Sequence, residues 1–267
     1  MKITRMNFLR VLGGAVLAAG AGKFVKGIGD AAQTPSGVPG AKNFATAGGA
    51  TGGDRAPKRW GMAIDFGKCG KGCNDCMRAC RSAHNVPQIP DANHEIKWIW
   101  EEPYEKVFPY QRTDYERQDL AGRPLLVLCN HCADPPCTRV CPTQATWKRD
   151  DGIVMMDYHR CIGCRYCVAG CPYGSRSFNW VDPRPYIETM NPQFPTRTKG
   201  VVEKCNFCEE RLADGLLPAC VEACSQKALV FGDLNDENSA VRQALKSRYA
   251  MQRTPELGTG PSVFYLT

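Results

Sequence analysis

The sequence predicts an α+β fold with little regular secondary structure and long loop insertions. The first reason is that sixteen cysteines fall into four groups of four along the chain, with none left over. The second is that short stretches of strand length lie directly before or after these groups. The third is that long segments separate some of the groups, one of them rich in proline and threonine. We therefore expect one folded domain over residues 59–267, organised around its cysteines.

The N-terminal residues predict a targeting segment, residues 1–32, followed by a flexible linker, residues 33–58. The stretch Thr4–Arg10 precedes an apolar run of small residues from Val11 to Gly22. It resembles a twin-arginine export signal at every position except Met6, which stands where the second arginine is expected. The alternative is a retained interfacial anchor, although the apolar run is short for a membrane span. The linker is rich in glycine, alanine, threonine and proline and lacks hydrophobic periodicity.

The first cysteine group follows a predicted strand, Trp60–Phe66, whose apolar residues alternate. This group I reads Cys69-Gly-Lys-Gly-Cys73-Asn-Asp-Cys76-Met-Arg-Ala-Cys80, so its first gap has three residues instead of two. Gly70 and Gly72 can absorb the additional residue. In the insertion that follows, Trp98 and Trp100 are expected on one face of an extended segment. They pack over a cysteine group or form a docking surface for a partner.

Group II follows a short buried strand, Leu125–Leu128. It reads Cys129-Asn-His-Cys132-Ala-Asp-Pro-Pro-Cys137-Thr-Arg-Val-Cys141-Pro142, and its two adjacent prolines make the wider second gap a rigid turn. We interpret His131 as a structural hydrogen-bonding residue, with modulation of a bound metal as the alternative.

Group III carries the most specific motif in the sequence. It reads Cys161-Ile-Gly-Cys164-Arg-Tyr-Cys167-Val-Ala-Gly-Cys171-Pro172, which is C-x2-C-x2-C-x3-C-P. This is the bacterial ferredoxin run, in which three thiolates hold one [4Fe–4S] cluster and the fourth ligates the other cluster of a pair. Gly163 is expected to let backbone amides approach the cluster.

The elements around groups III and IV complete the prediction. A hairpin of Ala145–Lys148 and Ile153–Met156 leads into group III, and Arg176–Trp180 is the returning strand of a ferredoxin-like half-motif. Group IV reads Cys205-Asn-Phe-Cys208, then eleven residues, then Cys220-Val-Glu-Ala-Cys224. A strand over Leu229–Asp233 and a helix over Ser239–Tyr249, capped by Ser239, follow it. The last residues, 254–267, are polar and contain proline and glycine.

Two other uses of the cysteines are disfavoured by their spacing. Zinc knuckles would explain C-x2-C pairs but not a third and fourth cysteine in each group. Disulfides are disfavoured because C-x2-C cysteines are poor partners for one another. We therefore predict that all sixteen are [4Fe–4S] ligands: Cys69, Cys73, Cys76, Cys80, Cys129, Cys132, Cys137, Cys141, Cys161, Cys164, Cys167, Cys171, Cys205, Cys208, Cys220 and Cys224.

The formal charge of +7 is interpreted as charge compensation instead of nucleic-acid binding. Each cluster with four thiolates contributes about two negative charges, so four clusters offset the surplus. The basic residues interleaved with the cysteines are Lys68, Lys71, Arg78, Arg81, Arg139, Arg160, Arg165 and Lys204.

The four groups, with C-P endings in the middle pair and the eleven-residue gap in the fourth, resemble the four-cluster ferredoxin subunits of membrane oxidoreductases. The resemblance covers Arg59 to about Leu234. Relatives of this type serve polysulfide, dimethyl sulfoxide, nitrite and formate enzymes. The glycine-spaced group I, His84-Asn-Val-Pro87 and Lys97–Trp100 resemble one branch. That branch is the iron–sulfur subunit of the membrane complex associated with dissimilatory sulfite reduction (DsrO).

The resemblance implies a tandem ferredoxin-like fold of two lobes with two [4Fe–4S] clusters each. Groups I and IV would form one lobe, and groups II and III the other. The implied ligand sets are Cys69, Cys73, Cys76 with Cys224; Cys205, Cys208, Cys220 with Cys80; Cys129, Cys132, Cys137 with Cys171; and Cys161, Cys164, Cys167 with Cys141.

The function implied by the resemblance is electron transfer, with no catalytic site and no small-molecule substrate of its own. The implied partners are a quinone-interacting, NrfD-like integral membrane subunit and a multihaem cytochrome c or other redox subunit. The implied location is periplasmic and peripheral to the membrane. The alternatives are the iron–sulfur subunit of a molybdenum-type reductase, a catalytic iron–sulfur protein with an open iron, and a zinc protein that binds nucleic acid.

Overall fold

The computed structural model describes residues 57–70, 72–111, 115 and 119–267. The predicted targeting segment and nearly all of the predicted linker lie outside these described residues. Within the described part, no helix combines the length and the apolar character needed to cross a lipid bilayer.

Regular secondary structure in the described part is short and mixed, in agreement with an α+β fold. The strands are β1 (Trp60–Asp65), β2 (Ile99–Pro103), β3 (Pro124–Leu128), β4 (Thr146–Lys148), β5 (Val154–Met156), β6 (Ser177–Phe178), β7 (Val202–Glu203), β8 (Leu229–Asp233), β9 (Ala250–Met251) and β10 (Val263–Leu266). The α-helices are α1 (Asp75–His84), α2 (Tyr104–Val107), α3 (Pro136–Arg139), α4 (Tyr166–Ala169), α5 (Glu209–Ala213), α6 (Ala219–Glu222) and α7 (Ala240–Ser247). The one-turn helices α3, α4 and α6 each carry a cysteine of groups II, III and IV.

A four-stranded sheet joins the two ends of the domain, with the strand order β8-β1-β10-β9. β1 runs antiparallel to β8 and parallel to β10, and β9 is antiparallel to β10. Met62 and Tyr265 belong to the main core, while Val241 of α7 packs in a second apolar cluster with Ala63. Ser239 caps α7, since its hydroxyl accepts a hydrogen bond from the N–H of Arg242 at 3.3 Å, as predicted.

The C-terminal end contains a strand that the sequence analysis does not predict. Residues 254–267 are described there only as polar, but Val263–Leu266 is a strand in the middle of the sheet. Tyr265 is fully buried, and its hydroxyl donates to the carbonyl oxygen of Leu126 at 3.0 Å. The run of β-branched and aromatic residues in this strand is the signal that could have predicted it.

The strands near the cysteine groups agree with prediction in position. β1, β3 and β8 occupy the stretches predicted before groups I and II and after group IV. The hairpin of β4 and β5 is confirmed, with Thr146 opposite Met156. The predicted returning strand is shorter than expected, because only β6 forms, and its antiparallel partner is β7.

A buried ion pair anchors the insertion that precedes group IV. The side chains of Arg197 and Glu203 are fully buried, with a nitrogen–oxygen distance of 2.6 Å. Arg197 also donates to the carbonyl oxygens of His84 at 2.6 Å and Asn85 at 2.8 Å. Glu203 accepts a hydrogen bond from the indole N–H of Trp98 at 3.0 Å. These contacts connect the end of α1, the insertion after group I, and β7.

The two tryptophans of that insertion are core residues. Trp98 and Trp100 are 2% and 7% exposed, so the interpretation as a docking surface is wrong. Trp98 stacks on His84 with ring centroids 4.7 Å apart. Because His84 lies one helical turn after Cys80, Trp98 packs beside a cysteine group, which is the other of the two interpretations.

Candidate metal centres

The register of β1 and β8 brings the first and last cysteine groups together. Ile64, five residues before Cys69, pairs with Leu229, five residues after Cys224. Antiparallel strands place these two ends at the same edge of the sheet. The cysteines Cys69, Cys73, Cys76 and Cys224 line one cavity there, together with apolar residues that include Leu126 and Leu229. They are the same four cysteines that the resemblance assigns to one cluster.

Helix α1 divides group I between two sites. Burial raises the pKa of Cys76 to about 12, and the nearby thiolates of Cys69 and Cys224 add to the increase. Cys80 lies on the same helix, but its neighbours are cysteines of group IV. Burial is the main reason that the pKa of Cys80 lies well above its usual value. The negative charges of the Cys205, Cys208 and Cys220 thiolates raise it further.

Groups II and III share a second region. Cys129, Cys132, Cys137 and Cys171 line one cavity, so the last cysteine of group III faces group II. Burial raises the pKa of Cys132 to about 12, and the thiolates of the other three also raise it. The β4–β5 hairpin leads back from group II to group III and places Cys141 and Cys161 in one apolar cluster with Cys167. Cys164, the remaining cysteine of group III, is partly exposed.

Several cysteine sulfurs accept hydrogen bonds. Burial would raise the pKa of Cys141, but hydrogen bonds from the Thr146 N–H and from Thr143 hold it below its usual value. Other sulfurs accept backbone N–H groups, for example Cys208 from Ala219 at 3.4 Å. Such donors stabilise thiolates and so favour metal ligation.

These four arrangements fit [4Fe–4S] clusters in two respects. Buried thiols with raised pKa values become thiolates only if a strongly positive centre replaces their protons. The cavity of groups II and III also contains the side chain of Asn130, whose amide nitrogen and oxygen are buried without a partner in the described structure. Sulfur atoms of a cluster accept hydrogen bonds, and such bonds tune it. When bound, a [4Fe–4S] cluster supplies a one-electron couple, and the ligand sets given above would hold four of them. The assignment of individual ligands and of two lobes stays a prediction.

Four charged or titratable residues surround the thiols. Arg176 and Lys204 are buried between cysteine groups. His84 lies between Cys80 and Glu210, with its Nε2 atom 2.7 Å from the Glu210 carboxylate. Burial would raise the pKa of Glu210, but the hydrogen bond with His84 holds it below its usual value. Of these four residues, the sequence assigns an electrostatic role only to Lys204, as one of eight basic residues that compensate cluster charge. The contacts of the other three depend on the pairing of distant segments and cannot be read from the sequence.

Two sequence interpretations gain a physical reason. The Nδ1 atom of His131 accepts a hydrogen bond from the N–H of Val154 at 3.0 Å, and burial lowers the pKa of the imidazole, so His131 is a neutral structural residue. Gly163 is needed because its φ is +69° and a Cβ atom there would lie 2.3 Å from the carbonyl oxygen of Gly200. That close contact is with the segment that precedes group IV, in addition to the expected role beside a cluster.

Comparison with known proteins places these sites in a family. Residues 125–184 and 185–234 each match the 4Fe-4S dicluster domain. The protein is 39% identical over 233 residues to the Hdr-like menaquinol oxidoreductase iron-sulfur subunit 1 of Archaeoglobus fulgidus, covering 79% of this sequence and 84% of that one. It is 40% identical over 236 residues to the menaquinone reductase iron-sulfur cluster-binding subunit of Nitratidesulfovibrio vulgaris, covering 78% and 89%. It is 36% identical over 209 residues to the B subunit of polysulfide reductase from Wolinella succinogenes, covering 78% and 93%.

The chain therefore belongs to the family of 4Fe-4S dicluster iron–sulfur subunits of quinone oxidoreductases. Sixteen cysteines in this family context fit four [4Fe–4S] clusters. The protein is an electron-transfer subunit, and its residues bind, bury and electrostatically surround the redox centres.

Proposed function

We propose that the protein relays electrons between a quinone-reactive, NrfD-like integral membrane subunit and a multihaem cytochrome c or other redox subunit. The observation that supports this most is that thiols of successive sites are neighbours: Cys220 interacts with Cys76, Cys205 with Cys129, and Cys167 with Cys137. Two of the relatives are named as subunits of a menaquinol oxidoreductase and of a menaquinone reductase, which supports a quinone-linked partner. The DsrO-like stretches support a sulfite-reduction-associated complex as the particular assembly.

A second candidate is the iron–sulfur subunit of a molybdenum-type reductase. The relative from polysulfide reductase favours it, at 36% identity. Both candidates use the same four clusters and differ in the subunit that exchanges electrons with them. The composition of the complex therefore decides between them.

Affinity purification of the tagged protein from detergent-solubilised membranes tests the proposed assembly. We expect an NrfD-like subunit and a c-type cytochrome to copurify in constant ratio, identified by mass spectrometry and haem absorbance. A molybdopterin-containing subunit in their place would support the second candidate. Purification of the fully loaded protein from cross-linked membranes without any redox subunit would contradict both.

We further propose a periplasmic location reached through the twin-arginine route, because a protein that binds clusters must fold before export. A fusion of residues 1–35 to a reporter that matures only in the cytoplasm tests this. We expect mature reporter in the periplasm, loss of export with Arg5→Lys, and increased export with Met6→Arg. Export that depends on the general secretory channel instead would contradict the proposal.

A further inference from the structure

Two buried cations lie where the cysteine groups meet, and neither has an acidic partner within ion-pair distance among the described residues. Arg176 is 4% exposed and Lys204 is 1% exposed. Burying a charge without a counter-charge costs several kcal/mol unless another negative centre compensates it. By contrast, the third buried cation of this region, Arg197, is paired with Glu203 at 2.6 Å. The two unpaired cations therefore need a different negative partner.

Strand pairing explains why both cations occupy the same place. β6 and β7 are antiparallel, with Ser177 opposite Glu203. Arg176 comes directly before Ser177 and Lys204 directly after Glu203, so the two residues lie opposite each other at the same end of the strand pair. At this end, one segment comes from group III and the other leads into group IV.

The contacts of Arg176 point to groups II and III. One guanidinium nitrogen donates to the sulfur of Cys137 at 3.1 Å and to the hydroxyl of Thr146 at 2.7 Å. The other donates to the sulfur of Met156 at 3.7 Å. Burial alone would lower the pKa of Arg176, but the thiolates of Cys137 and Cys167 more than offset this. Those two cysteines belong to different predicted ligand sets, so the guanidinium lies between them.

The contacts of Lys204 point to groups II and IV. Its ammonium group donates to the carbonyl oxygens of Val154 and Cys205, the latter at 2.6 Å. Burial lowers the pKa of Lys204, while the thiolates of Cys129 and Cys205 act in the opposite direction. Cys129 and Cys205 are again members of different predicted ligand sets. The set formed by Cys129, Cys132, Cys137 and Cys171 is therefore adjacent to both cations.

We propose that Arg176 and Lys204 raise the reduction potentials of three of the four clusters, with the cluster of group II influenced by both. Reduction adds one negative charge to a centre that already carries about two, so an adjacent cation stabilises the reduced state more than the oxidised state. The N–H···S bond from Arg176 acts in the same direction. The group I cluster contacts neither cation. The group II cluster, which lies inside the series of four, is therefore the position at which these cations stabilise an added electron most.

Redox potentiometry of the isolated, fully loaded protein, followed by electron paramagnetic resonance, tests the proposal. In Arg176→Met we expect two of the four midpoint potentials to become more negative. The equilibrium constant for reduction of each of these two clusters should fall at least tenfold, which is about 59 mV for a one-electron couple. In Lys204→Met we expect two to become more negative as well. One potential is lowered in both variants and one in neither, a pattern that can be recognised without assigning the signals.

The matched control is Arg184→Met, because Arg184, like Arg176, follows group III in the chain, but its side chain is 51% exposed and paired with Asp182. Its four potentials are expected to remain unchanged. Unchanged potentials in both Met variants, or an equal shift of all four, would overturn the proposal. If a Met variant loads fewer than four clusters by iron and sulfide content, the Gln variant at that position is measured by the same criteria. The inference rests on the four clusters and the predicted ligand sets and not on the proposed partners, so its failure is distinct from failure of those partners.

Discussion

Replacing Cys224 by alanine is expected to perturb the same cluster as replacing Cys73, although the two residues belong to opposite ends of the domain. Cys69, Cys73, Cys76 and Cys224 line one cavity, so each of the two variants removes one of four ligands from a single site. Replacing Cys80 is expected to perturb the cluster that is affected by replacing Cys208, because the neighbours of Cys80 are the thiols of group IV. Each variant should retain about twelve of about sixteen iron atoms, or slightly more if a three-iron cluster remains.

The stability effect should also be large for Cys224→Ala. A cluster held by groups I and IV links residues that are far apart in sequence, and its binding free energy becomes folding free energy. A covalent link across a loop of about 100 residues contributes about 4–5 kcal/mol by chain entropy, which gives the scale. Pairing of β1 with β8 brings the same two ends of the domain together in the fold.

Anaerobic iron and sulfide analysis with potentiometric electron paramagnetic resonance of the four single variants separates the cases. Met77→Ala is a suitable control, because Met77 is adjacent to Cys76 on α1 and packs against the core without being a predicted ligand. If Cys224→Ala and Cys208→Ala alter one shared cluster and spare the signal affected by Cys73→Ala, each group binds its own cluster. The two-lobed arrangement would then be wrong.

The sequence predicts the cysteine groups and their neighbouring strands well because both are local. Ligand spacing is written within a dozen residues, and β3 and β8 are short apolar runs beside the groups. The strand β10 was missed because its run is only four residues long and its partner, β1, is almost the whole domain away. Position in the sequence does not reveal that a terminal segment lies in the centre of a sheet.

Electrostatic contacts are predicted least well for the same reason. The sequence groups Lys204 with residues that compensate negative charge, but its burial follows from the pairing of β6 with β7. Arg197 lies in a segment that reads as a proline-rich insertion, and its sequence neighbours give no sign of the buried carboxylate it binds. Such pairs are fixed by tertiary structure, which composition and spacing do not encode locally.

Replacing Arg197 by methionine is expected to destabilise the domain by about 3–5 kcal/mol, because the carboxylate of Glu203 would remain buried without its cation. The variant also loses two hydrogen bonds to the carbonyl oxygens of His84 and Asn85 at the end of α1. Loss of cluster absorbance in urea under anaerobic conditions should occur at a clearly lower denaturant concentration than in the unmodified protein.

Two further variants distinguish a buried uncompensated charge from a general loss of packing. Adding Glu203→Gln to Arg197→Met removes the charge and keeps one oxygen, which can accept from Trp98 or from Asn179. These two residues donate to different oxygens of Glu203, at 3.0 Å and 2.7 Å. This double variant should therefore recover a large part of the lost stability. Arg184→Met removes an exposed ion pair with Asp182 in the same insertion and should leave the urea midpoint unchanged. A double variant as unstable as Arg197→Met alone would show that packing and the backbone hydrogen bonds, not the unpaired carboxylate, account for the effect.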